Sequence, residues 1–117
     1  MADKEMQEFV KPLMKSFGGL QQLTLLLAQK GMADPEEAGA AASEYLRFFG
    51  LVAVGWMWAR MAKVALEKQG DDETGFYADK LDLARFYMKK VLPETAALGL
   101  SIQAGKKPIM AMADAAF

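Results

Sequence analysis

The stretch RFFGLVAVGWMWAR, Arg47 to Arg60, carries no charged or strongly polar side chain between its two arginines. On a helical wheel of about 100° per residue with Arg47 at zero, Ser43 and Glu44 fall within roughly 60° of it, and Arg60, Lys63 and Glu67 cluster near ~160–220°. The polar stripe therefore changes sides, and Phe48 to Ala59 have no polar face. A helix apolar on every side is buried on every side. Two neighbouring helices and a short tail can hardly wrap it, so a fourth helix, a second copy or the rest of a longer protein is expected to complete the cover.

The flanking segments are helical by period. Met6, Val10, Leu13, Phe17, Leu20, Thr24 and Leu27 recur in steps of four and three, the spacing of one helix face. The stripe keeps phase across Gly18-Gly19, so one helix with a weak middle is expected over about 3–30, with Pro12 near a kink and Gly31 as its C-terminal cap. ADPEEA restarts the chain: Asp34 caps, Pro35 fits the first helical position, and Glu36 and Glu37 favour the positive dipole end. The second helix is expected over about 35–68, ended by the polar turn QGDDE. Tyr77, Leu81, Ala84, Met88, Val91, Thr95, Leu98 and Ile102 set a third helix over about 73–103. Leu92 is a poor cap, so Pro93 reads as a kink within a continuous helix. GKKP ends it, and the tail 106–117 is apolar enough to need a docking surface. Short loops make neighbouring helices antiparallel. The expected fold is all-α, an antiparallel up-down bundle of three long helices plus a short C-terminal helix or tail, in a single domain over 1–117.

Composition narrows the function classes. The 117 residues hold no cysteine and no histidine, which removes disulfides, thiolate metal sites, cysteine nucleophiles and every histidine triad. A net charge of −1 gives no bulk attraction to nucleic acid or an anionic membrane. The N-terminus MADKEMQEF is polar and mixed in charge, unlike a signal peptide. The run 48–59 falls short of the about 18–20 apolar residues a membrane span needs. The expectation is a cytoplasmic protein with no nucleic-acid, membrane or metal partner.

No catalytic constellation emerges. Asp71, Asp72 and Glu73, like Asp34, Glu36 and Glu37, sit at helix starts where capping explains them, without EF-hand spacing. Ser16, Ser43 and Ser101 have no base to activate them. Arg60 reads as an edge residue stacking on Trp56 or pairing with an acid. Arg85, Lys89 and Lys90 read as a solvated face balanced by Asp79 and Asp82. These four basic residues are weak anion-binding candidates. The nine methionines read as core filler. Phe48, Phe49, Trp56, Met57 and Trp58 are the candidate helix–helix or subunit interface, since large aromatics and methionine are enriched in such contacts. Gly50, Gly55, Ala59 and Ala62 would let a helix come close.

The runs YLRFFGLVAVGWMWARMAKVAL and FYADKLDLARFYMKKVLPETAAL resemble the extreme C-terminal helical domain of bacterial FAD-dependent acyl-CoA dehydrogenases of the long form, which include 3-methylmercaptopropionyl-CoA dehydrogenases. The resemblance covers about Leu20 to Ile109. It implies a parent enzyme of fatty acid metabolism that uses FAD to remove hydrogens from the α and β carbons of an acyl-CoA thioester, with a glutamate as base. The chain is too short for the regions that hold FAD and that glutamate, so no catalytic or cofactor-binding residue of the family transfers to a position here. The resemblance implies a structural and oligomerisation module excised from the C-terminus of a longer chain, with Met1 an introduced start. Its partners would be the rest of the enzyme, a second copy, or both. One branch of the family is linked to DNA binding, which near-neutral charge argues against here. The alternative is a stand-alone bundle enclosing an apolar or acyl ligand near Trp56, Met57, Met61 and Met88.

Overall fold

A computed structural model describes residues 3–112; Met1, Ala2 and the tail 113–117 lie outside the described residues. The chain runs through α1 (Asp3–Ala33), α2 (Pro35–Lys68), a short 3-10 turn (Gln69–Asp71), α3 (Phe76–Phe86), a π-helical segment (Tyr87–Val91), α4 (Glu94–Gln103) and α5 (Lys107–Met110). No strand occurs among the described residues. Gly19 approaches Phe48 and Leu13 approaches Gly55, so α1 and α2 are antiparallel. Phe48 meets Gly99 and Tyr87 meets Leu51, so the α3–α4 arm returns antiparallel to α2. The Cα envelope is long and flat, 65 × 29 × 16 Å.

Asp34 is the sole residue between α1 and α2, and its side chain accepts from the Glu36 amide at 3.1 Å. The expectation that Gly31 caps α1 is overturned: the helix continues to Ala33, and the glycine does not take positive φ. Its bareness serves the tight hairpin instead, since a Cβ there would lie 3.2 Å from that of Ala38. Gly18-Gly19 and Pro12 leave α1 unbroken. Gly19 and Gly99 flank the Phe48 ring, which a Cβ on either would touch at 3.4 and 3.6 Å. The weak middle of α1 is thus the seat of the largest inward side chain of α2.

The third helix departs from its expected outline at both landmarks. It begins at Phe76 rather than Glu73 because Asp72 captures the first amides: its carboxylate accepts from Thr74 N and Tyr77 N, each at 2.9 Å. Gly75 at φ 81 makes the turn that permits this. Pro93 brings more than a simple kink. It has no amide to donate and its ring crowds the carbonyl four residues back; the backbone responds with a wider turn, in which Leu92 N reaches Tyr87 O at 2.8 Å. Tyr87 and Met88, at the start of that turn and three and four residues after the buried Ala84, are both buried. α4 ends at Gln103, the chain turns at Gly105, φ 75, and Lys106 folds back onto the start of α2, bonding Asp34 and Glu36 through its ammonium and Glu37 through its amide.

The core holds Phe9, Leu13, Leu20, Leu23, Phe48, Val52, Leu81, Met88, Leu92 and Ile102 around the alanines of α2. Two outcomes follow. Phe48→Ala should cost about 3–5 kcal/mol, whereas the adjacent Phe49→Ala, at a half-exposed ring, should cost about 1 kcal/mol or less in dilute protein; urea unfolding of the two variants checks this. The second concerns pH. Lys106 holds the Asp34 carboxyl below its ordinary range, Thr74 and the Tyr77 amide hold Asp72 down, and Arg47 holds Glu94 down. Folded values below unfolded ones stabilise fully above the unfolded values, and that stabilisation is lost as pH falls through and below about 4. Melting temperature should stay level from neutral pH to about 5 and then drop, with Glu94→Gln flattening part of the drop.

Candidate interaction face

The two sides of α2 are inverted in size. Its buried residues are Ala41, Phe48, Val52, Gly55, Ala59, Ala62 and Ala65, small except for Phe48 and Val52. Its exposed large residues are Leu46, Phe49, Val54, Trp56, Met57, Met61 and Val64. The small side lets two helices approach closely at once. At the tightest point a Cβ on Gly55 would meet Leu13, Tyr87 and Leu92 together at 3.4 Å. That bareness leaves room for the Tyr87 hydroxyl, which donates to the Leu51 carbonyl at 2.5 Å; burial pushes this hydroxyl's pKa up.

The large side forms a ridge between two apolar grooves. One, of about 450 Å³, lies between α1 and α2 against Met14, Phe17, Phe49 and Trp56. The other, of about 460 Å³, lies between α2 and α3 against Met57, Met61, Val64 and Phe76. Trp56 is 54% exposed and Met57 and Phe49 are each 50% exposed. Soluble monomers rarely present so continuous an apolar surface. α2 is also long and apolar enough to cross a membrane by length and composition, a test that core helices of soluble proteins pass as well. The short run 48–59 understated this, because the helix holding it has 34 residues.

The sequence candidates separate here. Phe49, Trp56 and Met57 share the outer ridge, Phe48 is core, and Trp58 is half-buried with its ring 6.4 Å from that of Tyr87. Among the basic residues, Arg60 lies over the Trp56 ring at 5.0 Å. Arg85 bonds Glu8 at 3.0 Å and Asp82 at 3.1 Å; Lys89 and Lys90 are exposed on the π segment. Arg60 borders the α2–α3 groove while Arg85 ties α3 to α1, so the four do not converge on one anion. Nor do the four residues expected to enclose an apolar ligand share a cavity. Trp56 lines the α1–α2 groove, Met57 and Met61 the α2–α3 groove, and Met88 a third cleft of about 600 Å³ between α1 and α4.

Sequence reasoning missed the polar clasps that fix these helices. Arg47 reaches Glu94 with two nitrogens, Nη2 at 2.9 Å, and Glu8 meets Arg85 across the bundle. Both join residues far apart in sequence with no local signal. Among the described residues, no cluster of metal-ligating side chains occurs. None of their buried side-chain nitrogens or oxygens lacks a hydrogen-bond partner, and no chemical step through FAD is assigned to this chain.

The family described as acetyl-CoA dehydrogenase C-terminal like matches residues 1–113. The broad-specificity linear acyl-CoA dehydrogenase FadE5 of Mycobacterium tuberculosis is 29% identical over 97 residues, covering 80% of this chain but 16% of the relative. The chain thus spans about a sixth of the length of the curated relative it matches. With 113 of its positions inside the match, the chain belongs to the acyl-CoA dehydrogenase C-terminal-like family.

Proposed function

We propose that this domain is the structural and assembly module of a FAD-dependent acyl-CoA dehydrogenase, working in the cytoplasm and doing no chemistry of its own. The observation that carries the reading is the inverted α2: small residues inward, Leu46, Phe49, Trp56 and Met57 outward. Exposing a large apolar side chain instead of burying it forgoes roughly 1.5–3 kcal/mol each. A helix that turns several such residues outward is suited to a second protein surface. The parent enzyme would supply flavin and base for α,β-dehydrogenation of an acyl-CoA thioester, and this module would hold the subunit or its neighbour in place.

The competing reading, a bundle that encloses an apolar ligand, gains no support from three separate grooves. Sedimentation equilibrium over a concentration series, with flavin absorbance followed and a catalytic body of the same enzyme class added in a second series, tests the assembly role. The expected result is association without flavin, with itself or with that body. A chain that stays monomeric in both series, or that binds FAD and oxidises an acyl-CoA alone, contradicts it.

A further inference from the structure

The assembly reading leaves open what covers α2, and the exposed face of that helix is itself patterned. Gly39, Ser43, Leu46, Gly50, Ala53, Met57, Arg60 and Val64 are all exposed, and they follow one another in alternating steps of four and three. That is the seam spacing with which one helix packs along another. It is laid on the side of α2 opposite the two helices of its own bundle. At Gly39 and Gly50 a Cβ would meet nothing within 4 Å, so no neighbour within this chain accounts for a glycine at either place.

Resting on the assembly reading, we propose that the occupant of this face is α2 of a second copy, lying antiparallel across a two-fold axis between Gly50 and Ala53. Three features favour a copy of the chain itself. The seam is symmetric about that midpoint, pairing Gly50 with Ala53, Leu46 with Met57, Ser43 with Arg60 and Gly39 with Val64. A self-complementary patch of this kind is what a two-fold interface requires. The small central residues let the two backbones come close.

The second feature is charge. Residues 35–46 of α2 carry Glu36, Glu37 and Glu44 and no basic residue, Arg47 beyond them is paired with Glu94, and the end of the helix carries Arg60, Lys63 and Lys68 beside Glu67. Antiparallel pairing sets the acidic end of one helix against the basic end of the other; parallel pairing sets like against like. The third is area. Aromatic side chains present about 150–250 Å² each. With ten large side chains about half exposed, Met14, Phe17 and Phe76 included, the face offers on the order of 1,000 Å², against roughly 800 Å² per partner in a standard interface. The flanking grooves would then receive the partner's Phe49 and Trp56.

The absence of native cysteine makes the geometry directly readable. Single cysteines are placed in the full chain, and dimers trapped with a short bismaleimide are resolved by denaturing electrophoresis. Ala53→Cys, beside the axis, should cross-link to itself. Leu46→Cys alone should not, because its twin is about 16 Å away along the axis, but mixed with Met57→Cys it should. Gly50→Leu should leave dilute-state melting unchanged or raised, since its Cβ points into open space, yet weaken association at least tenfold.

Self-linking at Leu46, meaning parallel helices, overturns the proposal. So does a dimer that ignores Gly50→Leu and traps nothing at Ala53. A chain that is monomeric alone but binds the catalytic body overturns the second-copy proposal and leaves the assembly role standing. A chain that binds neither fails both. Binding to vesicles of neutral phosphatidylcholine in place of self-association also overturns it.

Discussion

The contact on which the molecule depends is the close approach of α1 and the α3–α4 arm to the alanine and glycine side of α2. Helices meet at about 8–10 Å depending on the side chains between them, and Gly55, Ala59, Ala62 and Ala65 set the short end of that range. Once those positions are small, the bundle has few inward places on α2 for bulk, and Phe48 takes the one bay that Gly19 and Gly99 leave open. Leu46, Phe49, Val54, Trp56, Met57, Met61 and Val64 are displaced outward, while Tyr45, Leu51, Trp58 and Leu66 pack part-buried along the edge of the core. The exposed ridge is therefore a consequence of how the core is built.

The π turn before Pro93 belongs to the same constraint. Ala84, Tyr87 and Met88 stand at the i, i+3, i+4 spacing of one helix face, and the wider turn that follows carries the chain past Pro93 with Leu92 still buried. Tyr87 closes onto the Leu51 carbonyl beside the bare Gly55, and Arg47 clasps Glu94, the residue after the proline. Surface ion pairs contribute little to stability, typically below about 1 kcal/mol. Their value here is in register: Arg47–Glu94, Arg85–Glu8 and Lys106–Asp34 each join a different pair of elements, so sliding one helix breaks a specific pair.

Much of the fold was legible because the four-three stripes set the helices: in the α3–α4 arm Leu81, Ala84, Met88 and Ile102 face inward, whereas in α1 Leu13 and Leu20 face inward but Phe17 and Thr24 of the same stripe are exposed, and the buried Phe9 and Leu23 lie outside it. The same reasoning could not orient α2. Pattern reading follows large apolar residues, and on this helix they point away from the core, so Phe48 and Phe49 looked alike although one is buried and the other half exposed. Gly31 looked like a cap because glycine ends many helices; a one-residue hairpin used it for proximity. The membership in the acyl-CoA dehydrogenase C-terminal-like family rested on long idiosyncratic runs, which no periodicity argument could replace.

The central claim is that α2 has one face for its own bundle and one for another protein surface. Its two tryptophans sit on either side of that division, Trp58 against Tyr87 and Trp56 on the ridge. A Trp58→Phe variant keeps a ring against Tyr87 and leaves Trp56 as the sole indole. The account predicts that Trp56 emission shifts to shorter wavelength, and becomes shielded from iodide quenching, as chain concentration rises through the range in which the mass increases. Emission and quenching that stay constant from dilute to concentrated protein would mean the ridge remains in water, and would contradict it.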